Sequence, residues 1–99
     1  MVISISIWFF AYVLGSIPFG VLLARAQNID LHEHGSKNIG ATNATRILGK
    51  KAGTLTLLGD TLKGWLGVVA ASWVSSDSFT IAGAGIMVFL GHLFSVFLK

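Results

Sequence analysis

No cysteine occurs in the 99 residues, which excludes a disulfide framework and any thiolate metal site. Charge is also scarce: lysine, arginine, aspartate and glutamate make up 11% of the chain, against about a quarter in soluble domains. Together with a mean hydropathy of +0.78, that shortage excludes an ordinary water-soluble globule and points to an integral membrane protein. The net charge of +3 is too thinly spread for a nucleic-acid surface, so no nucleic-acid partner is expected. No internal repeat or low-complexity tract is visible. Proline appears once, at Pro18, where it is expected to kink a helix rather than end the fold.

What is present is three apolar stretches. The first, about 2–24, carries no charge, and roughly 20 apolar residues let a helix cross the hydrocarbon core. It reads as a span rather than a signal peptide, because no basic residue precedes it and it is too long for a signal core. Ser16 and Gly20 form a small-xxx-small pair that admits a close helix neighbour. A second span fits about 53–74, with Gly67 and Ala71 as another such pair, and a third fits about 79–98. The expected fold is therefore all-α integral membrane, one domain over 1–99, with three transmembrane helices. Five of the seven basic residues (Arg25, Lys37, Arg46, Lys50, Lys51) fall between the first two spans, and Lys99 follows the third. Asp77 is the only charge in the turn between the second and third spans. The excess of basic residues puts loop 25–51 and the C-terminal end in the cytoplasm and the N-terminus outside.

Polar groups interrupt the later spans. Asp60 and Lys63 stand three apart on one helix face. Each costs about 2.5–3.5 kcal/mol at the bilayer centre on insertion scales. Two readings follow: an ion pair that lowers the insertion cost, or a pair facing a polar cavity at the cytoplasmic side. His92 in GHLFSVF is either a hydrogen-bonded core residue or part of the same cavity. His32 and His34 flank Glu33 in LHEHG, but alternating loop positions without a third ligand read as a solvated loop, so no metal is expected.

The loop GSKNIGATNATR, residues 35–46, is furnished beyond the needs of a connector. Gly35 and Gly40 permit backbone conformations in which successive N–H groups converge on one acceptor. The spacing predicts a short helix over about 39–48, capped by Asn38 and stopped by Gly49, whose N-terminus adds free donors and a favourable dipole. Thr42 and Asn43 lie four and three residues before Arg46, on one helical face. The Arg46 guanidinium is a planar fork suited to phosphate oxygens, with the Ser36 and Thr42 hydroxyls as further partners. The loop is thus a phosphate-site candidate, though not a Walker A loop, whose Gly-x4-Gly-Lys-Ser/Thr order is absent. Asn43-Ala44-Thr45 matches a glycosylation sequon, which a cytoplasmic position makes accidental.

Four blocks, GSIPFG (15–20), SKNIGATNATR (36–46), DTLKGW (60–65) and GHLFSVFLK (91–99), occur in an order that resembles the bacterial acyl-phosphate:glycerol-3-phosphate acyltransferases, the PlsY family. The resemblance covers the chain from Gly15 onward. It implies a multi-span inner-membrane enzyme that moves a fatty acyl group from acyl phosphate to the sn-1 hydroxyl of glycerol 3-phosphate, giving lysophosphatidic acid for phospholipid synthesis. It implies catalytic roles for Ser36, Arg46 and His92, and substrate binding by Asn38, Thr42, Asn43 and Lys63. Its partners would be glycerol 3-phosphate, acyl phosphate and membrane lipids, with no cofactor. The family carries proline where this chain has Ser95, and it continues past Lys99 into a glycine- and lysine-rich loop and further spans, so the chain resembles an N-terminal half.

Because acyl phosphate is already activated, direct transfer is expected rather than an acyl-serine on Ser36. The His-x4-Asp dyad of other glycerolipid acyltransferases is absent, since Lys37, Ile39 and Phe97 stand where its acid would be. Two other classes compete: a non-catalytic lipid- or phosphate-binding module, and a small multi-span transporter. The transporter reading lacks the buried acid that proton coupling requires in the first span.

Overall fold

The computed structural model describes residues 2–98; Lys99, which counts toward the expected orientation, lies outside the described residues. All regular structure among them is helical: α1 (Val2–Gly15), α2 (Phe19–Ala26), a 3-10 turn (Leu31–Glu33), α3 (Ala41–Leu48), α4 (Lys50–Val74) and α5 (Ser78–Leu93). The chain divides into two compact units. One comprises the residues up to Ile17 and those from Thr61 onward; the other is Pro18–Asp60.

In the first unit α1 and α5 run side by side in the same direction, with contacts climbing in step. Ser4 Oγ meets Thr80 Oγ1 at 2.8 Å and Trp8 Nε1 donates to Thr80 O at 3.0 Å. Further along, Gly15 lies against the Val88 backbone and Gly91 against the Tyr12 and Ser16 backbones, each so close that a Cβ would overlap it. The core between them is built of small side chains: Ala11, Ala71 and Ala84 with Val88, flanked by Ile7, Trp8, Ile81 and Met87. Small residues let helix backbones approach where lipid supplies no hydrophobic drive between helices. The large apolar side chains point outward instead; Phe9 is 61% exposed and Phe89 59%, a distribution suited to a lipid surrounding.

Asp77 caps α5, its carboxylate accepting from Thr80 N at 3.2 Å and from Thr80 Oγ1 at 2.7 Å. The Thr80 hydroxyl holds the Asp77 carboxyl below its ordinary value of 3.8. The helix ends at Leu93, five residues before the expected end of the third span. The reason is Ser95: its hydroxyl donates to Ser16 O, and Leu98 N closes a turn on Ser95 O at 3.3 Å, so the backbone leaves the helix.

Among the described residues, by length and apolarity only the run Val2–Ala26, 25 residues at a mean hydropathy of 2.0, suffices to cross a membrane. α5, with 16 residues, is shorter than the roughly 20 a straight crossing takes. α4 has 25 residues but carries Lys50, Lys51, Asp60 and Lys63. Helix lengths alone therefore do not carry the three-span arrangement.

Pro18 interrupts the first apolar run more sharply than the expected kink, since α1 ends at Gly15 and α2 begins at Phe19. Ile17 N turns to Leu14 O at 3.2 Å, and α2 restarts with Leu22 N on Pro18 O at 2.9 Å. In the second unit α2 ends in a Schellman closure. Asn28 adopts the left-handed φ of 59°, Ile29 N reaches Ala24 O at 2.9 Å and Asn28 N reaches Arg25 O at 3.0 Å. That reversal sends Leu31, fully buried, into a cluster with Ala24 and Ala44, against which Ile29, Ile47 and Leu48 pack. The cluster ties α2, the loop and α3 into one body.

Candidate active site

The loop of the second unit is built around one buried amide. Asn43, on α3 and 1% exposed, donates through Nδ2 to Asn38 O at 2.7 Å, His34 O at 3.1 Å and Leu31 O at 3.4 Å. Its Oδ1 accepts from Ser36 N at 3.1 Å. The side chain of one helical residue thereby holds a stretch of eight loop residues, 31–38. Gly35 has φ 55° and Lys37 φ 65°, the left-handed region in which glycine carries no penalty. At Gly35 a Cβ would strike Asn43 Oδ1 and come within 3.4 Å of Arg46 Cδ. Asn43 and Arg46 thus do share the α3 face that meets Gly35.

The helix predicted over 39–48 is observed as Ala41–Leu48, with Gly40 rather than Asn38 at the cap position and no side-chain cap. Asn38 forms a turn instead, its Oδ1 accepting from Gly40 N at 2.8 Å. The helix therefore begins with backbone N–H groups that no side chain caps. Gly49, at φ 100°, ends it as expected. Ser36, Asn38, Thr42 and Arg46 are exposed. The Ser36 hydroxyl accepts from Asn38 N at 3.4 Å, with no histidine bonded to it among the described residues. Thr42 and Arg46 sit one helical turn apart, and no described acid forms a salt bridge with Arg46. Uncapped helix donors, a dipole of the right sign and an exposed guanidinium on the same short helix are the elements of a candidate anion site.

The histidines of LHEHG are engaged locally. His32 Nδ1 lies 3.2 Å from Asp30 Oδ1 and His34 Nδ1 lies 2.7 Å from Asp30 O. No group of three metal-ligating side chains occurs among the described residues.

The first unit holds a separate polar cluster. Lys63, on α4 and 3% exposed, donates through Nζ to Ile17 O at 2.9 Å and meets His92 Nδ1 at 3.0 Å. Pro18 accounts for the carbonyl. The chain leaves the helix at Ser16–Pro18, and the carbonyls of Ser16 and Ile17 turn to side-chain donors, Ser95 Oγ for the first and Lys63 for the second. Ser16 Oγ in turn accepts from Val96 N at 3.4 Å and donates to Tyr12 O at 2.8 Å. The Tyr12 hydroxyl donates to Phe94 O. Lys63, His92 and Ser95 are legible in the sequence, the last as a departure from the family's proline; the polar roles of Ser16 and of the Ile17 carbonyl are not, and their one signal is Pro18.

Comparison with known proteins now decides the family. Residues 5–99 match the family model described as glycerol-3-phosphate acyltransferase. The chain belongs to the glycerol-3-phosphate acyltransferase family. It is 50% identical over 98 residues to the glycerol-3-phosphate acyltransferase of Geobacter metallireducens, covering 99% of this chain and 50% of that protein. It is 45% identical to the enzyme of that name from Aquifex aeolicus over 89% of this chain and 46% of the relative. Among solved structures it is similar to PlsY, described as an integral membrane glycerol 3-phosphate acyltransferase. The glycerol 3-phosphate form superposes with a TM-score of 0.87 at 42% identity over 96% of this chain and 48% of that one. The lysophosphatidic acid form gives 0.83 at 41% identity over 96% and 47%. The chain thus spans about half the length of the family members it matches.

Proposed function

We propose that this chain contributes to acyl transfer from acyl phosphate to the sn-1 hydroxyl of glycerol 3-phosphate, yielding lysophosphatidic acid and inorganic phosphate at a bacterial inner membrane. The observation that carries the reading is the loop held by Asn43: exposed Ser36, exposed Thr42 at the uncapped start of α3, and exposed Arg46 one turn on with its stem beside Gly35, in a chain of this family. In this reading Arg46 and the α3 N–H groups grip one substrate phosphate, and the Ser36 and Thr42 hydroxyls and the Asn38 amide line it. Asn43 contributes by shaping that loop. The substrate hydroxyl oxygen bonds to the acyl carbon, the bond from that carbon to the phosphate oxygen breaks, and the hydroxyl proton leaves with phosphate. No acyl-enzyme step is required. Electrostatic holding of two anions is then the main contribution of these residues.

The chain would cross the membrane three times, through α1–α2, α4 and α5. The shortness of α5 is compatible with a crossing that the residues after Leu93 complete. The N-terminus would face outward and loop 25–51 the cytoplasm, as the five basic residues of that loop favour.

The test is to express the chain in membranes alone and together with the C-terminal half of the Geobacter metallireducens relative. Labelled acyl phosphate and glycerol 3-phosphate are then supplied. Lysophosphatidic acid in either preparation supports the reading. Its absence from both, with the chain inserted and the halves associated, would favour a phosphate- or lipid-binding module.

A further inference from the structure

We infer that Lys63 is a positioning residue: its ammonium group fixes the His92 imidazole with Nδ1 as acceptor and the proton on Nε2, so that His92 serves as a donor and not as a base. The inference deepens the acyl-transfer reading and rests on it for its catalytic meaning, but its geometry stands apart from that reading.

An ammonium group has three donors and no acceptor. Lys63 Nζ lies 2.9 Å from Ile17 O and 3.0 Å from His92 Nδ1. A charged Lys63 can only donate to that nitrogen, so Nδ1 presents its lone pair. In a neutral imidazole the other nitrogen then carries the hydrogen.

Lys63 is held in place by the backbone as well as by the histidine. Its second partner, Ile17 O, is a carbonyl turned out of the helix at the Pro18 break, an acceptor that does not titrate or rotate away. His92 is fixed from the other side through the chain: three residues on, the buried Ser95 hydroxyl donates to Ser16 O at the same break. The break therefore anchors both the cation that sets the tautomer and the segment that follows the histidine. A histidine locked as an Nε2–H donor suits stabilisation of an anionic oxygen, on a phosphate or a tetrahedral carbon, and cannot abstract the proton of the attacking hydroxyl. An amino group buried to this degree and engaged on a carbonyl and an imidazole also gives Lys63 a role other than that of a freely accessible substrate-binding cation.

The experiment is nitrogen NMR on the full chain in phosphatidylglycerol bilayers, with 15N-labelled histidine and lysine. An H32Q/H34Q background leaves His92 as the sole imidazole. The expected spectrum shows an unprotonated Nδ1, a protonated Nε2 and a through-space correlation from the Lys63 ammonium protons to Nδ1. In Lys63→Met the correlation disappears and the Nδ1 resonance shifts; in Lys63→Arg the unprotonated Nδ1 is retained. A protonated Nδ1 in the unsubstituted pair, or an Nδ1 resonance unmoved by Lys63→Met, overturns the inference. The Lys63 wild-type spectrum decides alone if Lys63→Met fails to fold. The signature is read without turnover: its presence in a chain that transfers no acyl group even with the C-terminal half associated would uphold the positioning and reject the reaction.

Discussion

Replacing Asn43 with alanine tests whether one amide organises the loop over residues 31–38. The substitution removes the partner of Ser36 N and Asn38 O outright. His34 O and Leu31 O keep the Lys37 and His34 amides respectively. An unsatisfied buried group costs about 1–3 kcal/mol, and the low end applies here because Ser36 and Asn38 are exposed and water can replace part of each bond. Two groups at ~1–1.5 kcal/mol each give about 2–3 kcal/mol of lost loop stability. At ~1.4 kcal/mol per tenfold, that is a rise of about 30- to 140-fold in the opening equilibrium of residues 34–38. Hydrogen–deuterium exchange of the chain in lipid nanodiscs reads it directly. Protection at 34–38 should fall by about that factor while α1 and α5 stay unchanged. Asn43→Asp should loosen the loop further, since a carboxylate would face three carbonyls with no hydrogen to donate. Protection within about threefold of the unsubstituted chain, less than ~1 kcal/mol, would refute the organising role.

Three further outcomes are expected. Arg46→Lys keeps the charge but loses the fork, so glycerol-3-phosphate-dependent turnover with the C-terminal half should drop more than about tenfold, with helix content by circular dichroism unchanged. Ser95→Ala removes the hydroxyl that donates to Ser16 O, and exchange over residues 94–98 should report a loss of about 1–2 kcal/mol. Asp77 has a folded value below its ordinary 3.8 because of the Thr80 hydroxyl. Its capping contribution is therefore complete above pH 3.8 and declines as pH falls through the lower folded value. Amide exchange at the start of α5 should show that acid-side loss, and Asp77→Asn should abolish it.

The local features of the fold were legible in the sequence. Pro18 broke the first run where its missing N–H and fixed φ require, and Gly49 stopped α3 because a left-handed residue closes a helix cheaply. The α5 boundary was legible only in part: Ser95 in place of the family's proline marked the end of the third span as changed, but not that Ser95 reaches a carbonyl 79 positions away. The Asn38 cap was misassigned by two positions, because Asn38 bonds the Gly40 amide in a turn of its own and the helix starts one residue later. Residue types for the site were readable as a list, but their division of labour was not. Asn43 and Arg46 look equivalent in a motif, yet one is buried and saturated by the chain's own backbone while the other is exposed. Lys63 and His92 stand 29 positions apart, and no periodicity announces that they touch.

In the proposed function the loop from Gly35 to Arg46 grips a phosphate. Titrating glycerol 3-phosphate into the 15N-labelled chain in bilayers tests it most directly. Saturable shifts of the Ser36, Ala41 and Thr42 amides and the Arg46 guanidinium are expected, weakened at least tenfold in Arg46→Lys. Shifts absent from these groups, or equal in the two proteins, would contradict it.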